Sequence, residues 1–554
     1  MAKKDLSFYN KTERPWLTRL DRSSIVGHTT HVTSRIWFRM KKAGNYRVIV
    51  STDQLVGITW KLPMSESATQ WLENKKIAID LHSVTDIVLE GTSDFTAVVD
   101  IENLQPNTHY HYGIVNLDDK RWELGYENEH SFQTMPLNND GTWDITFGLY
   151  SCHMPFDPKY PSKADASMWG LFYDELKFSG AKFVIGGGDQ VYVDGTKYVD
   201  IWKWLKKVRK HKPKIEDMLS WYRDIYRGYW GFPDLMKVHR SFPNYMIWDD
   251  HEIMDGWGSY TKKELSQQLD TLFEWENVGK NVATAHQMFE AASQVYYEYQ
   301  HSHNPKTDDK VYDYPFEACG ADYYVLDMRG HRDFERKEDA ILGEEQRKRF
   351  QKWVASLEPQ HHGPIFIVST VPVVHLKDMV SDMLDWLAVF GARDDVRDHW
   401  AHKHHRKEVT TLLTSLFSLS EQTKRPLVLL SGDVHIGGIF TLSTNNNAYP
   451  NARVYQVTSS AITYASVGPA KMRLLAKSVA QNGQIGLTED GSGSGFYFKN
   501  HAIFPQHNFS LIRYRTNTKE TTHLDVELIG QSEDSRVKES KRFNLLELSK
   551  STAI

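Results

Sequence analysis

The stretch Leu427-Val428-Leu429-Leu430-Ser431-Gly432-Asp433-Val434-His435 decides how the fold is read. Its first five residues form a nearly continuous apolar run, as expected of a strand covered on both faces. Its last four place Asp and His just past the strand's carboxyl end, where α/β sheets carry their functional groups. Other runs are built the same way. Ile145–Tyr150 leads into Ser151-Cys152-His153, and Phe183–Gly187 into Gly188-Asp189-Gln190-Val191-Tyr192-Val193-Asp194. Tyr245–Trp248 leads into Asp249-Asp250-His251-Glu252, and Tyr323–Leu326 into Asp327-Met328-Arg329. A further strand is expected at Ile365–Ser369, with helical stretches at about 166–178, 277–299, 344–356, 406–418 and 470–480. The alternation predicts α/β architecture in a layered sandwich, with later strands at Arg453–Val457 and Phe509–Arg513 assigned to a second sheet.

Ahead of this region the pattern is all-β. Ser34–Arg39, Tyr46–Val50, Thr96–Ile101 and Phe132–Thr134 are rich in β-branched and aromatic residues. A Leu104-Gln105-Pro106 turn leads into Thr108-His109-Tyr110-His111-Tyr112, whose alternation sends both tyrosines to one face. That turn and strand resemble a corner of a fibronectin type III sandwich. Pro136–Gly141 reads as a linker. The expected organisation is an N-terminal tail over 1–19, a fibronectin III-like β-sandwich over 20–136, a catalytic domain over 137–535 and a C-terminal tail over 536–554.

Composition narrows the function. The 554 residues include 66 Lys and Arg against 71 Asp and Glu, a net charge of −5. So even a balance argues against a partner held by overall charge, and no sequence-specific nucleic acid is expected. The basic stretch Trp202–Lys214 reads first as a solvated amphipathic helix; a nucleic-acid groove, or a guide for a polyanionic substrate, is the alternative. The two cysteines, Cys152 and Cys319, cannot make a disulfide scaffold, and Cys319 is left structural. No apolar run is long enough for a transmembrane segment. The opening residues have two lysines without an apolar run behind them, so no export signal is legible. That reading points to a cytoplasmic protein, or a periplasmic or extracellular one if a signal was removed. A monomer is expected.

The strand ends deliver metal-ligand types, and no Gly-x-Ser-x-Gly nucleophile accompanies them. Aspartates and a histidine on neighbouring strands can hold two cations about 3.5–4 Å apart, one carboxylate bridging them, and such a pair clamps a phosphate. Cys and Tyr among the donors favour a ferric ion, and an oxygen-rich remainder favours calcium or manganese.

Taken in order, Ser-Cys, Gly-Asp-x-x-Tyr, Trp-Asp-Asp-His-Glu, Leu-Asp-x-Arg and Ser-Gly-Asp-Val-His resemble the PhoD-like alkaline phosphatase and phosphodiesterase family of the calcineurin-like metallophosphoesterases. The resemblance spans about residues 20 to 530. It implies an α/β metallophosphoesterase sandwich behind the N-terminal β-sandwich, and a phosphate ester as substrate. It implies a metal-dependent phosphoric ester hydrolase that uses a metal-bound hydroxide at a dinuclear or larger site. Carried onto this chain, Cys152, Asp189, Tyr192 and His435 would hold Fe3+, with Asp189 bridging. Asp250 and Asp433 would help hold Ca2+; Zn2+, Mn2+ and Mg2+ are alternatives at either position. His251 would stand at the catalytic histidine, and Arg329 would clamp phosphate. Asp255 stands where many relatives have Asn.

Each residue keeps a plainer reading. Cys152 is alternatively an inert buried thiol, Asp189 and His435 turn residues, and Tyr192 a core tyrosine. Asp249 could orient a ligand rather than bind, and Arg329 could belong to a buried ion pair. The tract Asp398-His399-Trp400-Ala401-His402-Lys403-His404-His405-Arg406 reads as a polar helix start beside the cleft, since its His spacing fits no tight tetrahedral site. Rival functions are a phosphodiesterase or phospholipase D-like activity, a non-catalytic metal-binding module, and a nuclease.

Overall fold

Alternation of buried side chains explains the strands that position the site. In the computed structural model, Tyr323, Val325, Phe366, Val368, Val428 and Leu430 face one apolar core. Their neighbours Tyr324, Leu326, Ile365, Ile367, Leu427 and Leu429 face a second core. With both faces buried, nearly every residue of such a strand is apolar, which is why these segments read as almost continuous hydrophobic runs; buried Asp322, beside Tyr323, is balanced by Arg425 at 2.6 Å. The structure describes residues 19–57, 65–73, 79–138, 140–156, 164–194, 201, 214–273, 278–357, 361–374, 397–400, 402–464, 482–485, 494–531 and 537–550.

The N-terminal region contains β1 (Ser23–Thr29), β2 (Ser34–Arg39), β3 (Gly44–Ser51), β4 (Leu81–Leu89), β5 (Thr96–Ile101), β6 (His109–Asn116), β7 (Arg121–Leu124) and β8 (Ser131–Gln133). They form two sheets, one ordered β1-β2-β5 and the other β4-β3-β6-β7 with β8 also on β6. Val26, Ile36, Phe38, Val48, Val50, Tyr110, Tyr112 and Phe132 fill the space between them. The sandwich is tied to the rest of the chain by polar contacts. Trp37 Nε1 donates to the Glu298 carbonyl at 2.7 Å, and the Asp94 carboxylate is held by Arg39 and Arg227.

The remaining strands are β9 (Asp144–Tyr150), β10 (Val184–Gly187), β11 (Asn244–Ile247), β12 (Tyr314–Ala318), β13 (Ala321–Val325), β14 (Ile365–Val368) and β15 (Leu427–Ser431). After them come β16 (Gly437–Thr444), β17 (Val454–Thr458), β18 (Asn482–Ile485), β19 (Phe496–Phe504), β20 (Asn508–Thr516), β21 (Thr521–Gln531) and β22 (Lys538–Asn544). One sheet runs β11-β10-β9-β20-β21-β22, the other β12-β13-β14-β15-β17-β16-β19-β18. The two stack face to face: the Phe147 ring meets Phe366 at 5.1 Å and Tyr323 at 5.8 Å. Helix Ser167–Ser179 covers the outer side of the first sheet through Phe172 on Phe509. Helices Gly343–Ser356 and Arg406–Thr423 cover the second through Phe350, Leu413 and Leu416.

Two expectations are corrected. The six early strands do not share a sheet, and the later ones do not make a separate one. β17 runs parallel beside β15, and β20 runs antiparallel beside β9. Strand membership is set by pairing, which chain order does not reveal. The segment expected as a C-terminal tail supplies β22, paired along β21 from Gln531↔Lys538 to Asp525↔Asn544. Its alternating charges hid it, because an edge strand with one solvated side needs no apolar run. The helix expected at 470–480 and residues 202–213 of the basic stretch lie outside the described residues. Among the described residues no helix is long and apolar enough to cross a membrane.

Candidate metal centre

The site lies where the carboxyl ends of the two sheets meet. In the first sheet β9, β10 and β11 are parallel neighbours, so Cys152, Asp189 and Asp250 emerge side by side. β15 of the second sheet brings Asp433 and His435 to the same place. Asp189 belongs to three groups of donors, each with its ligand atoms within 4.8 Å of one another: Cys152 with His435, Asp250 with His251, and Asp249 with Asp433. The Tyr192 hydroxyl donates to Asp189 Oδ2 at 3.2 Å and lies 3.1 Å from His435 Nε2. The Cys152 thiol lies 3.4 Å from the same Asp189 oxygen.

The backbone bends sharply to do this. Cys152, Asp189, Asp433 and His435 have φ of 56°, 55°, 64° and 54°, a left-handed conformation that crowds a β-carbon. Such conformations cost about 1–3 kcal/mol each and persist only where the surroundings hold them. Two glycines make room. A β-carbon on Gly188 would lie 2.8 Å from that of Asp249, and one on Gly432 would lie 2.5 Å from that of Ser151. The Glu252 carboxylate, fully buried, fastens two of the turns together. It accepts from the amides of Asp189 at 3.2 Å, Gln190 at 2.6 Å and Asp249 at 2.9 Å.

The charge pattern calls for a cation. Burial, then repulsion from Asp250 and Asp249, drives the Asp189 carboxyl well above the usual range, with His251 opposing. Burial and the facing carboxylates do the same to Asp433. Burial and Asp189 push the Cys152 thiol and the Tyr192 phenol up, while burial lowers His435 to about 3. Asp189 Oδ1 and Asp249 Oδ2 are buried acceptors without a hydrogen-bond donor. Unpartnered buried carboxylate oxygens are costly, and a bound cation relieves both the missing donors and the repulsion. The donor set therefore fits metal ions.

A family model described as PhoD-like phosphatase matches residues 147–495, most of the chain. The chain belongs to the PhoD-like phosphatases. A solved structure titled "Structure of PhoD" shares its fold, with a TM-score of 0.60 at 15% identity over 94% of this chain and 90% of that one. An uncharacterized protein of Saccharomyces cerevisiae, YGR266W, is 23% identical over 374 residues, which cover 52% of this chain and 49% of that protein. The chain thus spans about half the length of that curated relative.

Arg329 departs from its expected place on the phosphate. Its side chain is fully buried in this PhoD-like protein. Nε donates to Asp249, Nη1 to the Trp257 carbonyl at 3.2 Å and to Asp398 Oδ1 at 2.6 Å. Nη2 lies 3.4 Å from Asp250 Oδ1. All its donors are directed at protein groups, so the guanidinium holds aspartates in place rather than facing substrate. Asp398, from the segment read as a polar helix start, is its principal counter-ion.

His251 is held from behind. Its Nδ1 lies 2.6 Å from Asp194 Oδ1, and its ring lies tilted against that of Tyr192, the centroids 4.2 Å apart. Burial alone would lower its pKa, but Asp250 and Asp194 outweigh burial and raise it well above 6.5. Asp255 donates its amide to Asp194 Oδ2 at 2.6 Å. Sequence reasoning quoted Asp194 and gave it no role. It also missed Tyr464, whose ring lies 3.6 Å from that of His435; no local motif marks either partnership. The His399–His405 tract forms no metal-ligating trio among the described residues. His404 Nε2 lies 2.9 Å from the Arg336 carbonyl and His405 Nε2 lies 3.0 Å from that of Arg397.

Proposed function

We propose that this PhoD-like phosphatase hydrolyses phosphoric esters at a cation cluster bridged by Asp189. The observation that carries the reading is the sharing of Asp189 among three separate donor groups. Cys152, Tyr192 and His435 would complete a site for Fe3+, since thiolate, phenolate and imidazole suit that ion better than magnesium. Asp249, Asp250 and Asp433 offer the oxygen-rich surroundings that calcium takes. Bound there, the cations would supply an activated water and neutralise charge on the phosphoryl oxygens.

The chain's own groups do the rest. His251, held through Nδ1 by Asp194, is placed to give a proton to the departing alkoxide oxygen. Arg329 and Glu252 hold the aspartates at the spacing the cations require. The strand order of the N-terminal region, 1-2-5 against 4-3-6-7, supports the fibronectin III-like reading of that sandwich. The test is elemental analysis of the purified protein with its visible spectrum, alongside hydrolysis of an aryl phosphate and a bis-aryl phosphate. Iron, a tyrosinate-to-iron charge-transfer band and activity lost on chelation are expected. Full turnover after complete removal of metal refutes the proposal, and the relative rates on the two esters assign the ester class.

A further inference from the structure

A second donor cluster lies on the N-terminal sandwich. His109 and His111 are two residues apart on β6, so both side chains leave the same face of that strand. β8 pairs beside them with His109 opposite Gln133 and His111 opposite Ser131. The pairing runs on past β8, because Tyr112 donates its amide to the His130 carbonyl at 2.9 Å. Glu129, two residues before Ser131, therefore returns to the same face, diagonal to His111. One donor atom from each of His109, His111 and Glu129 falls within 4.8 Å of the others.

The spacing within the trio leaves room for a shared ion. His111 Nδ1 stands 3.6 Å from Glu129 Oε1, beyond hydrogen-bond range. That nitrogen is buried and has no hydrogen-bond partner. Two ligands each about 2 Å from a tetrahedral zinc ion are about 3.3 Å apart, close to the spacing seen. Burial, with His111 beside it, lowers the pKa of His109, and burial lowers that of His111. Asp53 adds negative charge near His111. Among the described residues, Lys182 donates to Gln133 Oε1 at 3.0 Å, and Lys177 lies close enough for its charge to act on His109. By contrast the trio Glu317, Asp322 and His361 already has a cation, since Arg425 is 2.6 Å from Asp322.

We propose that His109, His111 and Glu129 form a divalent transition-metal site, of the zinc class, separate from the catalytic centre. Two imidazoles and one carboxylate select zinc-like ions over calcium and magnesium, and three protein ligands leave a position for water. The experiment dialyses the full-length protein against micromolar Zn2+ and compares metal content with the His109→Asn/His111→Asn variant. The variant should retain one zinc fewer per chain and hydrolyse an aryl phosphate at the unaltered rate. Equal zinc content in the two proteins overturns the proposal. If the double variant does not fold, Glu129→Gln at an exposed position carries the test: weaker zinc retention supports the site, and unchanged retention removes it.

Discussion

Oδ1 of Asp194 lies 2.6 Å from Nδ1 of His251, and Oδ2 of the same carboxylate accepts a 2.6 Å bond from the Asp255 amide. The aspartate therefore fixes both the tilt of the imidazole and the turn that follows it. Removing the imidazole, His251→Ala, should lower kcat about 10²–10⁴-fold, the range for a positioned acid. Asp194→Asn should cost on the order of 10-fold, since the ring stays but loses its anchor and its charge support. Because the two act as a unit, the double variant should be little worse than His251→Ala. Turnover of an aryl phosphate at matched metal content checks this, and strictly additive losses would show that the pair is not coupled.

Asp189→Asn should remove nearly all activity and most metal bound at this centre, because all three of the centre's donor groups share that carboxylate. It should also change how stability responds to chelation. In the parent protein, stripping cations restores repulsion among buried carboxylates, so EDTA should lower Tm. The variant has one charge fewer and less cation to lose, so its Tm should respond less. Full metal content together with undiminished turnover in Asp189→Asn would falsify the bridged cluster.

Arg329→Ala should destabilise the fold by about 3–5 kcal/mol, the cost of leaving buried carboxylates without their partner. Asp249 and Asp398 are those carboxylates. A phosphate clamp would behave differently, with a higher KM and ordinary stability. Urea denaturation beside steady-state kinetics separates the two outcomes.

Asp94 makes part of the stability acid-sensitive. Burial would raise its pKa, but Arg227 and Arg39 outweigh that and hold its carboxyl below the usual range. The folded-state pKa is thus lower than the unfolded value of about 3.9. Its contribution is present above about pH 4 and is lost as pH falls through the folded-state value. Asp94→Asn should cost on the order of 3 kcal/mol at pH 7, and the gap to the parent should close in acid. Denaturant titrations of both proteins between pH 7 and pH 2 measure that gap, and a gap constant with pH would remove Asp94 from the explanation.

The sequence by itself determined the strands buried on both faces and the inventory of donors. Such strands are apolar nearly throughout, so β9, β10, β13, β14 and β15 stood out, and the residues just past their ends were countable as Cys, Asp, Tyr and His. Only the tertiary structure decided which of those residues meet. Arg329 follows its strand as the other candidates do, yet it turns toward Asp249 and Asp398, because a guanidinium in a dry interior must find carboxylates. Asp194 and Tyr464 acquired partners across 57 and 29 residues of chain, at His251 and His435. Periodicity records which face of an element is buried. It carries no information about which distant loop is folded against that face, and the pairing of β17 with β15 and of β20 with β9 is of the same kind.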